Sequence, residues 1–261
     1  LTSDKEGVVK KSVLFLGAML LAAASVALQP TLREGLVEFY GRQADIVRLG
    51  ETEGRVPVAR MSGEFAQYGL GAVEGLDGEI TVFEGRAYVT RMRDGQMVMD
   101  DGDDTSAIFA AWTLHSSWTD VSVPDEVVTY VELQQFIGEQ AGSMGVDTAS
   151  EAFPFLMHGA PASIKWHINL DRTDGQTVTR ELFEQSKDYF TMEGKMVDII
   201  GFYSEQHHGV FIGTFAPALA GSGVQNALHM HLVSADRSQA GHIDDLLLGG
   251  GMTLRLPAAA E

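Results

Sequence analysis

The stretch LHMHLVSADRSQAGHIDDLLL, residues 228–248, reads as a β-hairpin. Side chains alternate between the two faces of a strand, so His229 and His231 project together if this run is extended. The polar residues 235–238 read as a turn and the apolar run 243–248 as the returning strand. With the turn centred between Asp236 and Arg237, antiparallel pairing sets position 231 opposite 242. Three imidazoles, from His229, His231 and His242, then converge.

Three neutral imidazoles with an open fourth position are a familiar way to hold a catalytic divalent metal, zinc or another first-row ion. With no cysteine in the chain, imidazole and carboxylate are the strong ligands available. An HxH pair alone is more often a chance pair on a polar strand face. The third histidine in cross-strand register is what points to a metal.

Upstream, residues 163–170 alternate cleanly. Ile164, Trp166, Ile168 and Leu170 share one face; Lys165, His167 and Asn169 share the other. An Asp174-Gly175 turn is expected to lead into a strand over residues 177–183. Further back, glycines at 69, 71, 75 and 78 form a tight loop system before a three-stranded meander, residues 79–83, 86–91 and 96–99, joined by Glu84-Gly85 and Asp94-Gly95 turns. Glu79 begins the first of these strands, where a carboxylate can face a cleft. Its alternative is an exposed strand end. Residues 108–114 read as a buried strand and 124–140 as an amphipathic helix. His115 and His158 are expected to be packed or surface groups, and adjacent His207 and His208 cannot easily share the downstream site. The run Asp100 to Asp104 lacks the ligand spacing of a calcium loop and reads as a solvated turn.

The chain has 261 residues, enough for a sizeable core, and a formal net charge of -18. That field argues against nucleic-acid and anionic-membrane partners. A small anionic substrate would need a local positive centre. Lys10 and Lys11 precede a short apolar run, 13–28, in the manner of a secretory signal peptide. Residues 1–28 are therefore set aside as a signal, with a periplasmic or secreted location and no membrane contact after cleavage; an uncleaved anchor is the alternative, disfavoured because the run is short for a membrane span. Residues 29–43 have helical spacing, and 29–62 read as a helix and entry segment.

GLG followed by LDGE within residues 69–79, a GxFxP-like segment ending at Pro217, HMH at 229–231, Gly241-His242, and LRLP at 254–257 together resemble the alpha-acetolactate decarboxylase family over residues 63–257. The resemblance implies an α+β fold of two β-sheet subdomains with a few helices, here divided at about 63–160 and 161–261, with the metal site on a hairpin of the C-terminal sheet. It implies a homodimeric zinc enzyme converting acetolactate, a small 2-hydroxy-3-keto acid, to acetoin and carbon dioxide. His229, His231 and His242 match the zinc ligands and Glu79 the active-site glutamate.

Three departures stand out. The family's strand arginine falls on Asn169, so His167, on the same face, is the expected substitute donor beside it. Lys165 lies roughly 13 Å along the strand. Ala72 stands where the family has threonine or serine, and the family's tail, which returns a second glutamate, is nearly absent beyond LRLP, with Glu261 last. These leave room for a metal-dependent hydrolase using Glu79 as base, or for a catalytically impaired metal-bearing binding protein.

Overall fold

In the computed structural model, described over residues 37–64, 67–206 and 222–258, two antiparallel sheets carry the chain. The first contains β1 (Glu38–Tyr40), β2 (Val56–Pro57), β3 (Tyr68–Val73), β4 (Glu79–Phe83), β5 (Arg86–Arg93), β6 (Gln96–Asp100) and β7 (Ser106–Thr113), in the order β1-β7-β3-β4-β5-β6, with β2 also on β7. The second contains β8 (Trp118–Ser122), β9 (Phe153–Gly159), β10 (Ser163–Asn169), β11 (Lys187–Met192), β12 (Val197–Tyr203), β13 (Leu228–Ser234), β14 (Ala240–Leu247) and β15 (Thr253–Pro257). Its order is β11-β10-β14-β13-β12-β9-β15-β8. Helices α1 (Gln43–Leu49), α2 (Tyr130–Ser143) and α3 (Arg180–Gln185) complete an α+β fold. None of the described helices is long and apolar enough to cross a membrane.

The meander forms as its turns dictate. Glu84, Gly85, Asp94 and Gly95 all have positive φ, the backbone that a two-residue hairpin needs to match strand twist. Alternation then sorts β4: Ile80 and Val82 pack into the core with Val56, Val73 and Val89, while Glu79, Thr81 and Phe83 face the second sheet. On β10, Ile164, Trp166 and Ile168 join α2's Leu133 and Ile137 in the largest core. His167 and Asn169 are left on the opposite face, toward the first sheet. Between the sheets one region is apolar, built on Leu70, Tyr88, Leu156, Ile200 and Phe202. The adjoining region holds the histidines.

Several expectations are corrected. Strands β8 and β9 join the second sheet, so the changeover falls between Thr113 and Trp118 rather than near residue 160. Residues 38–40 are an edge strand on β7 and not helix. Helix α2 starts at Tyr130 because Thr129 and Glu132 form a reciprocal capping box: Thr129 Oγ1 accepts from the Glu132 N–H at 3.3 Å, and Glu132 Oε2 accepts from the Thr129 N–H at 2.8 Å. The strand expected over 177–183 is largely helix α3, started where Thr179 Oγ1 accepts from the Leu182 N–H at 3.2 Å. The signal segment 1–28, His207, His208, Pro217 and Glu261 lie outside the described residues.

Candidate metal centre

The hairpin pairs His231 with His242 on β13 and β14, the register expected from the turn. Asp236 fixes that turn. Its Oδ1 accepts from Ser234 Oγ at 2.6 Å, Ser238 Oγ at 2.7 Å and the Ser238 N–H at 3.1 Å. These donors hold the Asp236 carboxyl down at about 2. A carboxylate with a depressed folded pKa contributes stability that is complete above its unfolded value of about 3.9 and is lost as pH falls through the folded value. Asp236→Ala is therefore expected to lower the melting temperature at pH 6, with about half of the difference gone by pH 3. A pH-independent difference in melting curves would refute this account of the turn.

The ring centroids of His229 and His242 are 4.7 Å apart, and each stands 5.4 Å from that of His231. His229 Nε2 and His242 Nδ1 approach to 3.0 Å. Two nitrogens bound to one tetrahedral zinc would be about 3.3 Å apart. One nitrogen from each of the three rings lies within 4.8 Å of the others. His231 Nδ1 is held at 3.0 Å by Thr81 Oγ1, while its Nε2 is buried without a hydrogen-bond partner. Burial holds His231 and His242 well below the ordinary imidazole range, reinforced by the neighbouring imidazoles. A ring such as His231, with one nitrogen anchored and the other unsatisfied, fits a ligand to a divalent cation.

Glu79 stands over this trio from the facing sheet. It is 3% exposed, with its carboxylate oxygens 3.7 Å from His231 Nε2 and from His167 Nε2. Burial drives its pKa well above the carboxylate range, and the nearby Asp244 charge adds to this; Lys187 and a backbone N–H bond from Asn169 oppose it. The shifts of Glu79, His231 and His167 all run toward the neutral forms at these contacts. Ala72 lies directly across β3 from Glu79 and, as alanine, offers it no hydroxyl.

His167 pairs across β10 with His242, and its Nδ1 is 2.9 Å from both oxygens of Asp244. Burial lowers its pKa, with Asp244 pulling the other way. A bulge makes the contact possible: Lys165 pairs with Asp245 and Trp166 with Ile243, leaving Asp244 as the extra residue. His167, His242 and Asp244 are a second group able to hold a cation. Because His167 and Asp244 already satisfy one another, we read them as a histidine oriented by its carboxylate. Asn169 is buried, and its Oδ1 has no hydrogen-bond partner.

All six residues singled out from the sequence thus come together. Thr81, Asp244 and Lys187 were missed. Alternation from Glu79 would have placed Thr81 on the site face. Asp244 needed the bulge, and Lys187 belongs to a strand that was not expected. His115 is buried against Trp118, with ring centroids 4.6 Å apart, and His158 pairs with Asp198 at 2.8 Å on the surface. Neither joins the site. Asp100 accepts from the Gly102 N–H within its own turn.

Fold and site together define a two-sheet α+β protein with a buried imidazole and carboxyl cluster able to hold a metal. Comparison with known proteins shows what the chain is similar to. The alpha-acetolactate decarboxylase family model matches residues 160–258. Curated relatives are the alpha-acetolactate decarboxylases of Methanosarcina mazei, 23% identical over 79% of this chain and 64% of theirs, and of Bacillus licheniformis, 25% identical over 70% and 64%. This chain therefore spans under two thirds of the length of these relatives. The solved alpha-acetolactate decarboxylase of Bacillus subtilis strain 168 matches with a TM-score of 0.63 at 15% identity, covering 85% of this chain and 86% of that one. A Staphylococcus aureus protein of unknown function, described as similar to alpha-acetolactate decarboxylase, also has a TM-score of 0.63 at 15% identity, covering 84% of each chain. The chain is thus similar to alpha-acetolactate decarboxylases in the sequence of its C-terminal part and in its fold.

Proposed function

We propose that the protein decarboxylates α-acetolactate to acetoin, with a zinc or similar divalent ion held by His229, His231 and His242. The reading rests chiefly on one observation: a buried carboxyl, Glu79, within 3.7 Å of His231 in the trio. A bound divalent ion would supply an electrophile for the negative charge that develops on the substrate's oxygens.

The substrate carries its own electron sink, a ketone β to the carboxylate. When the bond to the carboxyl carbon breaks, its electron pair moves toward that ketone and carbon dioxide leaves. Glu79 then gives its proton to the carbon that lost the carboxyl group and regains one from solvent, so one proton is consumed per turnover. Burial of Glu79 favours the protonated form that this step uses. A hydrolase would require it as a base, which favours decarboxylation over the hydrolytic alternative. Asp244 fixes the His167 ring, and Asn169 Oδ1 can accept a substrate hydroxyl.

Protein purified without chelator is expected to bind one metal ion and release acetoin and carbon dioxide from racemic acetolactate. Chelation should stop the reaction and zinc should restore it. No acetoin at full metal occupancy would remove this reading.

A further inference from the structure

β11 is the edge strand beside β10, and its register sets Lys187 opposite Asn169 and Tyr189 opposite His167. Directly paired residues of antiparallel strands share a face, so Lys187 lies on the same face as the histidines. Its side chain is only 8% exposed. Its Nζ is 3.1 and 3.2 Å from the Glu184 carboxylate oxygens and 4.5 Å from the centre of the Phe183 ring.

An ammonium so far out of water is costly unless charge compensates it. Glu184 is a weak compensator: its side chain is 47% exposed, and it also accepts from Tyr189 OH at 3.3 Å. Lys165, the other lysine on this face, is exposed and sits over the Tyr189 ring at 4.9 Å. Next to Lys187, Asn169 Oδ1 is buried and unpartnered. In a chain of net charge -18, a buried cation beside an unsatisfied acceptor is a place for an anion that also bears a hydroxyl.

We propose that Lys187 is the residue that binds the substrate's carboxylate and makes the site select a 2-hydroxy acid over its neutral counterpart. The assignment deepens the decarboxylase reading and takes the substrate's identity from it. Strand geometry supports the span. Two strand spacings and two residues separate Lys187 from His242, about 12 Å between Cα atoms, and the lysine's four-carbon stem covers about half of that. What remains fits a five-carbon acid with its ketone and hydroxyl toward the histidines and its carboxylate toward Nζ.

The chemistry also says which kinetic constant responds. The carboxylate loses its charge as carbon dioxide forms, so the ammonium holds the ground state at least as strongly as the transition state. Removing it should raise KM while leaving kcat unchanged or higher.

The experiment is calorimetry on zinc-loaded protein with two probes that cannot decarboxylate: 2,3-dihydroxy-2-methylbutanoate, and neutral 2-methylbutane-2,3-diol. Wild type is expected to bind the acid at least about tenfold more tightly than the diol. Lys187→Met should abolish that preference and raise KM for acetolactate about tenfold without lowering kcat, and Lys187→Arg should restore most of both. Glu184→Gln, at an exposed position, should tighten acid binding and leave diol binding alone, which keeps the test alive if Lys187→Met does not fold. Equal acid binding by wild type and Lys187→Met, no acid preference in wild type, or no effect of Glu184→Gln would each overturn the proposal. Wild type that makes no acetoin yet shows a Lys187-dependent acid preference would remove the decarboxylase reading and leave the anion site standing.

Discussion

His231→Ala is expected to leave the protein folded but without stoichiometric metal, and with no measurable acetoin formation. His231 occupies the inner strand of the hairpin, paired with Ile200 on one side and His242 on the other. Thr81 orients its ring from the opposite sheet, 3.0 Å from Nδ1. Tight zinc binding of about 10–16 kcal/mol shared among three protein ligands puts the loss of one on the order of a thousandfold in affinity. Elemental analysis reads this directly. A variant that keeps full metal occupancy would mean the trio is structural.

The same residue makes a second, independent readout in chelated protein. His231 and His242 have folded pKa values well below the ordinary imidazole value of about 6.5. Below that pH the unfolded chain binds more protons than the folded one. Stability is therefore complete above about pH 6.5 and falls as pH drops toward the folded values, at about 1.4 kcal/mol per pH unit for each such imidazole. Denaturant titrations of the chelated His231→Ala variant should show this slope reduced by one imidazole.

Much of this site was legible because strands have a period of two. The HxH pair, the polar turn and the returning apolar run fixed the cross-strand pairing of His231 with His242, and the alternation of residues 163–170 separated Trp166 from His167. Those inferences need only local geometry. The rest came from contacts between distant segments. The facing sheets bring Glu79 to His231, 152 positions along the chain, and no local pattern encodes that meeting. Residues 177–183 contain apolar side chains with enough alternation to suggest a strand, but the Thr179 cap starts a helix instead. That error hid β11, and with it Lys187. Local alternation alone puts only Lys165 and His167 beside Asn169 as sources of positive charge.

Glu79→Gln is expected to lower acetoin formation by roughly 10²- to 10⁴-fold, in kcat far more than in KM, with metal content unchanged. Glutamine keeps the shape and can still accept the Asn169 N–H, but it has no acid proton to give. The pH profile should identify the group. Burial raises the Glu79 pKa, so its donating form persists above the usual carboxylate range and is lost as pH rises through the shifted value. If the protein decarboxylates acetolactate as proposed, the wild-type rate is expected to fall on the alkaline side through that loss, and the residual activity of the variant should lack this limb. Stability should move the opposite way. A carboxyl whose folded pKa lies above its unfolded value of about 4.3 opposes folding increasingly as pH rises between those two values. Removing the ionisable group should therefore leave the protein at least as stable as wild type above the unfolded value, with the difference growing as pH rises toward the folded one. A glutamate serving only the fold would lose stability and activity together when replaced. Glu79 is expected to lose activity and gain stability, because the buried acid that the reaction needs is one the fold would be easier to form without.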